Sequence, residues 1–275
     1  MFEPAQKKHE KYERLIAMAK QVQPSTVAVA HPCDRSSLEG ALNAARIGLI
    51  KPILVGPRAR IRQVATDADL DISALAIDET EHSHASAQRA VELVREGKAE
   101  AVMKGSLHTD ELMSAVVKTD NGLRTGRRLS HCFVMDVPSH PEPLIITDAA
   151  INIAPSLAEK VDIVQNAIDL ARVLGFDPVL VAILSAVETV NPKIPSTVEA
   201  GALCKMADRG QITSAILDGP LALDNAISPA AAEIKHLASP VAGRANVIVV
   251  PDLEAGNMLA KSLTLLANAD AAGIV

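Results

Sequence analysis

Nine short apolar runs separated by helical patterns predict an α/β fold with mostly parallel sheets. Three observations carry this expectation. Most runs are apolar throughout rather than at alternate positions, the pattern of strands covered on both faces. The stretches between them repeat apolar residues at helical spacing. Helix-start and helix-stop residues stand at several of the joins. Repeated strand–helix alternation of this kind builds a sheet with helices packed on it.

In chain order the runs are TVAVA (26–30), PILVG (52–56), ALAID (74–78), AVMKG (101–105), FVMDV (133–137), LIITD (144–148), VLVAIL (179–184), SAIL (214–217) and NVIVV (246–250). A Ser-x-x-Glu capping box at Ser36/Glu39 is expected to open the helix after the first run. Thr109 is expected to cap the helix after the fourth. The alternation breaks over 119–143, a stretch rich in Gly, Pro and Arg. FVMDV and LIITD are joined only by PSHPEP, whereas a parallel crossover needs about a dozen residues, so these two runs are expected to pair antiparallel. From Ser156, boxed with Glu159, the residues Leu157, Val161, Val164, Ile168 and Ala171 line one helix face, and Gly175 is placed to end that helix. A further box at Ser196/Glu199 is expected to open the next helix. Nine runs exceed one small sheet, and a domain border is placed near residue 143.

Composition narrows the function classes. The 275 residues carry a net charge of −6 and only 1% aromatic residues, which argues against a basic nucleic-acid surface and against base-stacking platforms. Cys33, Cys132 and Cys204 are far apart and odd in number, as in a reduced, cytoplasmic protein. The N-terminal MFEPAQKKHEKYERL has no apolar core for a signal peptide, and no apolar run approaches a membrane span. No P-loop, G-x-G-x-x-G, H-E-x-x-H or G-x-S-x-G occurs. His82 and His84 form an H-x-H pair without a third ligand at matching spacing, so they read as a helix start rather than a metal site.

Five stretches can carry chemistry, each beside a plainer reading. VMKGSLHTDEL (102–112) sets Lys104 and Thr109 around a strand end and a helix start, where an anion is favoured, or else forms an ordinary turn. GLRTGRRLSH (122–131) gathers Arg124, Arg127 and Arg128 with Ser130 and His131. Forked guanidiniums suit phosphate, and a solvated basic loop is the alternative. TDAAINIAP (147–155) ends a strand with Asp148 and Asn152, which either face a cleft or satisfy a turn. DGPLALDNAIS (218–228) offers Asp218, for which an Asx turn is the plainer reading. SPVAGRANVIVVPDLEAGNMLAK (239–261) ends its strand at Pro251-Asp252 and brings Gly256-Asn257 near a helix start. Polar strand ends recurring in this way suggest one cleft lined by several strand termini.

In this order and spacing, the same five stretches resemble the phosphate acetyltransferase/phosphate butyryltransferase family. The last is the most specific, and the resemblance runs from HPCDRSSLEGALNAARIGLIKPILVGP (31–57) onward. It implies two α/β/α domains with an interdomain cleft, similar to isocitrate and isopropylmalate dehydrogenases. The domains expected on this basis are 1–143 with 258–275, and 144–257. It also implies a cytoplasmic homodimer, with acyl-CoA, inorganic phosphate and acyl phosphate as ligands and no nucleic acid or membrane partner. No metal or redox cofactor is implied, coenzyme A being a substrate. Relatives of this kind usually continue with a further strand and a Ser-Arg segment that this sequence, ending in ADAAGIV, does not include, so the resemblance assigns no residues there.

The implied reaction is acyl-CoA plus phosphate giving acyl phosphate plus CoA, by direct transfer in a ternary complex. Arg128, with Arg124 or Arg127, is assigned to phosphate, and Ser130 and His131 to orientation or proton transfer. Lys104, Thr109, Asp148, Asn152 and Asn257 are expected to line the site, with Asp218 as a further acid. Cys132, next to His131, raises an acyl-cysteine route, but neighbouring strand residues point to opposite faces. The rival readings are a metal- and NAD-dependent dehydrogenase of similar fold and a non-catalytic acyl-CoA-binding module.

Overall fold

The computed structural model describes residues 10–275, which cluster into two compact units. One is Ile16–Gly126. The other is Arg127–Val275 with the described residues up to Leu15. The charged N-terminal stretch, as far as residue 9, lies outside the described residues.

Helix α1 (Glu10–Ala19) opens the described chain. The first unit then alternates β1 (Ser25–Ala30), α2 (Arg35–Arg46), β2 (Ile50–Gly56), α3 (Arg58–Asp67), β3 (Ala76–Glu79), α4 (Ser83–Arg95), β4 (Ala101–Lys104) and α5 (Thr109–Val116). Its four strands lie in the order β3-β2-β1-β4, all parallel. Burial on both faces explains the unbroken apolar runs. Val29 and Leu54 pack with Leu38 and Ile61 of α2 and α3, while Ala28, Ala30 and Val55 pack with Ala87 and Val91 of α4 and Leu112 of α5. Gly105 ends β4 where a Cβ would lie 2.4 Å from the Ala30 carbonyl oxygen. The glycine serves a close approach of backbone to backbone.

The second unit contains β5 (Cys132–Asp136), β6 (Leu144–Thr147), α6 (Leu157–Val173), β7 (Leu180–Leu184), α7 (Pro195–Asp208) and β8 (Ile216–Leu221). It continues with α8 (Leu223–Ile227), α9 (Pro229–Ile234), β9 (Val247–Val249), α10 (Leu253–Leu266) and β10 (Asp270–Ile274). The sheet order is β10-β5-β6-β9-β7-β8. β5 pairs antiparallel with β6 and β10, and the other pairings are parallel. Alternate strand residues again face opposite layers. Ile145, Val181, Val247 and Val249 meet Val164 and Ile168 of α6 and Leu203 of α7; Leu144, Ile146 and Ile248 meet Leu259 and Leu263 of α10. Among the described residues, no helix is long and apolar enough to cross a membrane.

Several local expectations change. The division at residue 143 would cut the β5–β6 hairpin, and 258–275 stays with the second unit, because β10 pairs with β5 along its length. The start of α1 belongs there too: Lys11 Nζ donates to the Val137 and His140 carbonyls at 3.1 and 2.9 Å. The Ser156/Glu159 box forms as expected, and Gly175 follows its helix with φ +81°. At Ser36/Glu39 the cap is instead Asp34, which accepts from Ser37 N at 2.8 Å. At Ser196/Glu199 the helix starts at Pro195, whose fixed φ suits the first turn. Ser196 Oγ there bonds Ser185 Oγ, and Glu199 pairs with the buried Lys160. α5 is capped by His108 rather than Thr109, with the Glu111 carboxylate accepting from His108 N at 3.2 Å. His82 does open a helix: its Nδ1 accepts from Ala85 N at 3.2 Å.

Candidate active site

In the second unit, the segment before β5 and the corner after β6 meet around one buried carboxylate. Asp148 is 3% exposed. Its Oδ1 accepts from Ala150 N and Ile151 N, both at 2.9 Å. Its Oδ2 accepts from His131 N at 3.2 Å, Asn152 N at 3.3 Å and Asn152 Nδ2 at 2.6 Å. The turn-satisfying role anticipated for Asp148 is therefore present, and it also ties two distant segments together.

Asn152 passes this order outward. Its Nδ2 donates to the Leu129 carbonyl at 2.9 Å, and its Oδ1 accepts from Arg128 Nε at 2.7 Å. The Arg128 guanidinium also pairs with Glu159 at 2.9 Å, and its backbone N–H donates to Asp162 at 2.8 Å. Arg127 pairs with Asp169 at 2.5 Å. With its side chain 52% exposed, Arg128 keeps part of a rigid donor fork open to a ligand. Glu159 holds the capping box through Oε2 and Arg128 through Oε1, so the start of α6 and the arginine are fixed by one side chain.

Ser130 and His131 are both buried. The His131 ring meets Phe133 edge-on at 4.3 Å between centroids, and its buried Nδ1 has no hydrogen-bond partner among the described residues. Burial pushes its pKa below the ordinary histidine value, against the opposing pull of the Asp148 carboxylate. β10 runs beside it: a Cβ on Gly273 would lie 2.8 Å from His131 Nε2. Cys132 is buried on β5. Desolvation pushes its thiol up to about 11, which outweighs the lowering by its hydrogen bond with Thr147; the Asp148 charge adds to the rise.

α10 supports the Asp148 corner from the other side. It starts at Leu253, where Asp252 caps it by accepting from Ala255 N at 2.9 Å. Asn257 Nδ2 reaches the Ala149 carbonyl at 3.4 Å. A Cβ on Gly256 would stand 2.9 Å from Asp148 O and 2.8 Å from Val250 Cγ2. In an open helix Gly→Ala is worth roughly 1 kcal/mol of gain. Here overpacking reverses the sign: Gly256→Ala is expected to destabilise the protein by about 1–3 kcal/mol, read as a lower urea midpoint at unchanged slope.

The structure thus brings together Arg127, Arg128, Ser130, His131, Asp148, Asn152 and Asn257. Asp218 stands apart. It lies inside β8 and accepts from its own neighbour, Gly219 N, at 2.8 Å. β8 is three strand positions from β6, roughly 14 Å at the usual spacing. Lys104 at the end of β4, Thr109 at the start of α5 and Arg124 belong to the first unit. All three are exposed. Sequence reasoning missed Asp162, Asn166 and Asp169. Together with Glu159 they recur at intervals of three, four and three along α6 and hold the 127–130 segment. That helical spacing was the available signal.

The sequence profile described as "Phosphate acetyl/butaryl transferase" matches residues 80–275. A phosphate acetyltransferase of Rhizobium meliloti is 63% identical over 265 residues, which span 96% of this chain and 84% of the relative. A phosphate butyryltransferase of Clostridium acetobutylicum is 39% identical over 264 residues, spanning 96% and 88%. Among solved structures, a branched-chain phosphotransacylase from Enterococcus faecalis V583 superposes with a TM-score of 0.78 at 31% identity, over 90% of this chain and 87% of that one. The matched region includes both the arginine-bearing segment and the Asp148 corner on which it is anchored, and on these grounds the chain belongs to the phosphate acetyl/butyryl transferase family.

Proposed function

We propose that this protein moves a short acyl group reversibly between coenzyme A and inorganic phosphate. The observation that carries the reading is the Arg128 guanidinium, half-exposed yet fixed by Asn152 and Glu159, on a chain of this family. In the forward direction a phosphate oxygen attacks the thioester carbonyl, the C–O bond forms, the C–S bond breaks and the thiolate leaves to take up a proton. Arg128, with Arg127 beside it, holds the phosphate through charge-assisted bonds. Ser130 orients a phosphate or carbonyl oxygen. His131, kept neutral by burial, is the acid–base candidate for a thiol whose ordinary pKa is about 8.5. Asp148, Asn152 and Asn257 hold these groups in place. Lys104, Thr109 and Arg124 are proposed as further ligand contacts.

Acyl transfer changes no oxidation state, so no redox cofactor enters this reading. A cytoplasmic homodimer is proposed with it, from the reduced-cysteine composition and the family resemblance. The likeness to isocitrate and isopropylmalate dehydrogenases is likewise a proposal, supported by the helix-covered sheets of both units. The test of the function is thiol release from a C2–C6 acyl-CoA series with and without phosphate. Release that depends on phosphate supports the reading, and release indifferent to phosphate rejects it.

Direct transfer is favoured over an acyl-cysteine because the Cys132 thiol is buried and its pKa is raised to about 11, the reverse of an activated nucleophile. Cys132→Ser is expected to keep most of the turnover and to cost about 1–3 kcal/mol of stability for burying a hydroxyl. An acyl group trapped on Cys132 by mass spectrometry would overturn direct transfer.

A further inference from the structure

Three of the four polar residues that α6 turns toward the 127–130 segment are acids, and each meets a cation or a backbone N–H. Asn166 is the exception. Its Nδ2 donates to the Arg128 carbonyl at 2.9 Å and to Ser130 Oγ at 2.9 Å. A carbonyl oxygen can only accept, so the Arg128 contact fixes which end of the amide faces the segment. With the NH₂ group placed there, the Ser130 oxygen must accept from it. The hydroxyl has one proton, and that proton is then directed away from α6. Among the described residues, no acceptor is bonded to it. Ser130 is buried and stands two residues from the arginine assigned to phosphate.

We propose that Asn166 is a positioning residue for acyl transfer: by donating to Ser130 Oγ, it commits that hydroxyl to donate to a phosphate oxygen held by Arg128. The inference rests on the phosphate acyltransferase reading and adds a residue and a donor direction to it. The chemistry of the amide matters here. A carboxylate at 166 would accept the Ser130 proton and turn it back onto α6. It would also face the Arg128 carbonyl with a like partial charge, and would add a fourth acid to the stripe beside a phosphate dianion. Alanine would leave the hydroxyl free to rotate. Since alanine is a better helix former than asparagine, it keeps α6 itself intact.

The test uses the whole chain and phosphate-dependent CoA release, comparing Asn166→Ala, Asn166→Asp, Ser130→Ala and the Ser130→Ala/Asn166→Ala double variant. Asn166→Ala is expected to lose about tenfold in kcat/KM for phosphate, the scale of one well-placed hydrogen bond, with KM for acyl-CoA unchanged. Asn166→Asp should lose more than Asn166→Ala. Because Asn166 acts through Ser130, the double variant should be no more than about twofold worse than Ser130→Ala alone. Losses that multiply in the double variant, an Asn166→Asp enzyme as active as wild type, or an equal rise in KM for both substrates would each overturn the inference while leaving the reaction established. A wild-type chain that releases no CoA in the presence of phosphate would instead reject the reaction, and the inference with it.

Discussion

Arg128→Ala is expected to lower phosphate-dependent turnover by at least about a hundredfold, the scale of losing charge-assisted bonds to the attacking phosphate. The fold should survive the change. The side chain is 52% exposed, and its partners Asn152 Oδ1 and Glu159 Oε1 can take water in its place. Half-exposed ion pairs contribute only about 0–1 kcal/mol. Circular dichroism and the thermal midpoint should therefore stay close to wild type while KM for phosphate rises or kcat falls. Arg128→Lys should recover only part of the loss, because an ammonium on a flexible stem cannot reproduce the planar fork that Asn152 and Glu159 orient. Wild-type turnover in Arg128→Ala would remove the phosphate assignment.

Asp148→Ala carries the largest expected effect on stability. The carboxylate satisfies five donors: the backbone N–H groups of His131, Ala150, Ile151 and Asn152, and the Asn152 amide. Each buried donor left without a partner costs about 1–3 kcal/mol, although relaxation and entering water recover part of that sum. A net loss of about 3–5 kcal/mol is expected, read from urea unfolding at unchanged slope. Asp148→Asn keeps one acceptor oxygen but turns an NH₂ group toward other donors, so it should fall between wild type and Asp148→Ala. Both variants should also lose activity, because Asn152 links Asp148 to Arg128. A urea midpoint in Asp148→Ala within error of wild type would show that the corner is organised by something else.

Much of the fold was legible because strands covered on both faces must be apolar at consecutive positions. Val181, Ala182 and Ile183 illustrate this, pointing in turn to the two cores of the second unit. The hairpin was legible because six residues cannot hold a crossover helix. β10 was not. Its sequence, DAAGI, is small and largely exposed, and lies at the sheet edge, so it carries no apolar pattern. Its placement follows from pairing with β5 and from the room Gly273 leaves for the His131 ring. The helix starts at Ser36 and Ser196 fit a spacing that occurs without forming a box; an aspartate two residues earlier and a proline decide those ends. The border moved from 143 because the Gly- and Arg-rich stretch was read as ending a domain, whereas its second half already belongs to the next sheet.

For the proposed site, residue types and strand ends pointed to Arg128, Ser130, His131, Asp148 and Asn152, which the fold brings to one corner. They drew in Asp218 as well, because every polar strand end looks alike before the strand order is known. Asn166 went unseen for the opposite reason: a polar residue in mid-helix reads as a solvated face until the segment it binds has been placed.

The central claim is that inorganic phosphate is the acyl acceptor, and identifying the product tests it most directly. The chain would be supplied with acyl-CoA and phosphate, and the acyl phosphate trapped with hydroxylamine while free thiol is counted, with the direct cleavage of acyl-CoA by hydroxylamine, measured without protein, subtracted from both signals. The account predicts one hydroxamate for each CoA released, with both signals absent when phosphate is left out. Release of CoA without acyl phosphate, at the same rate with and without phosphate, would contradict it.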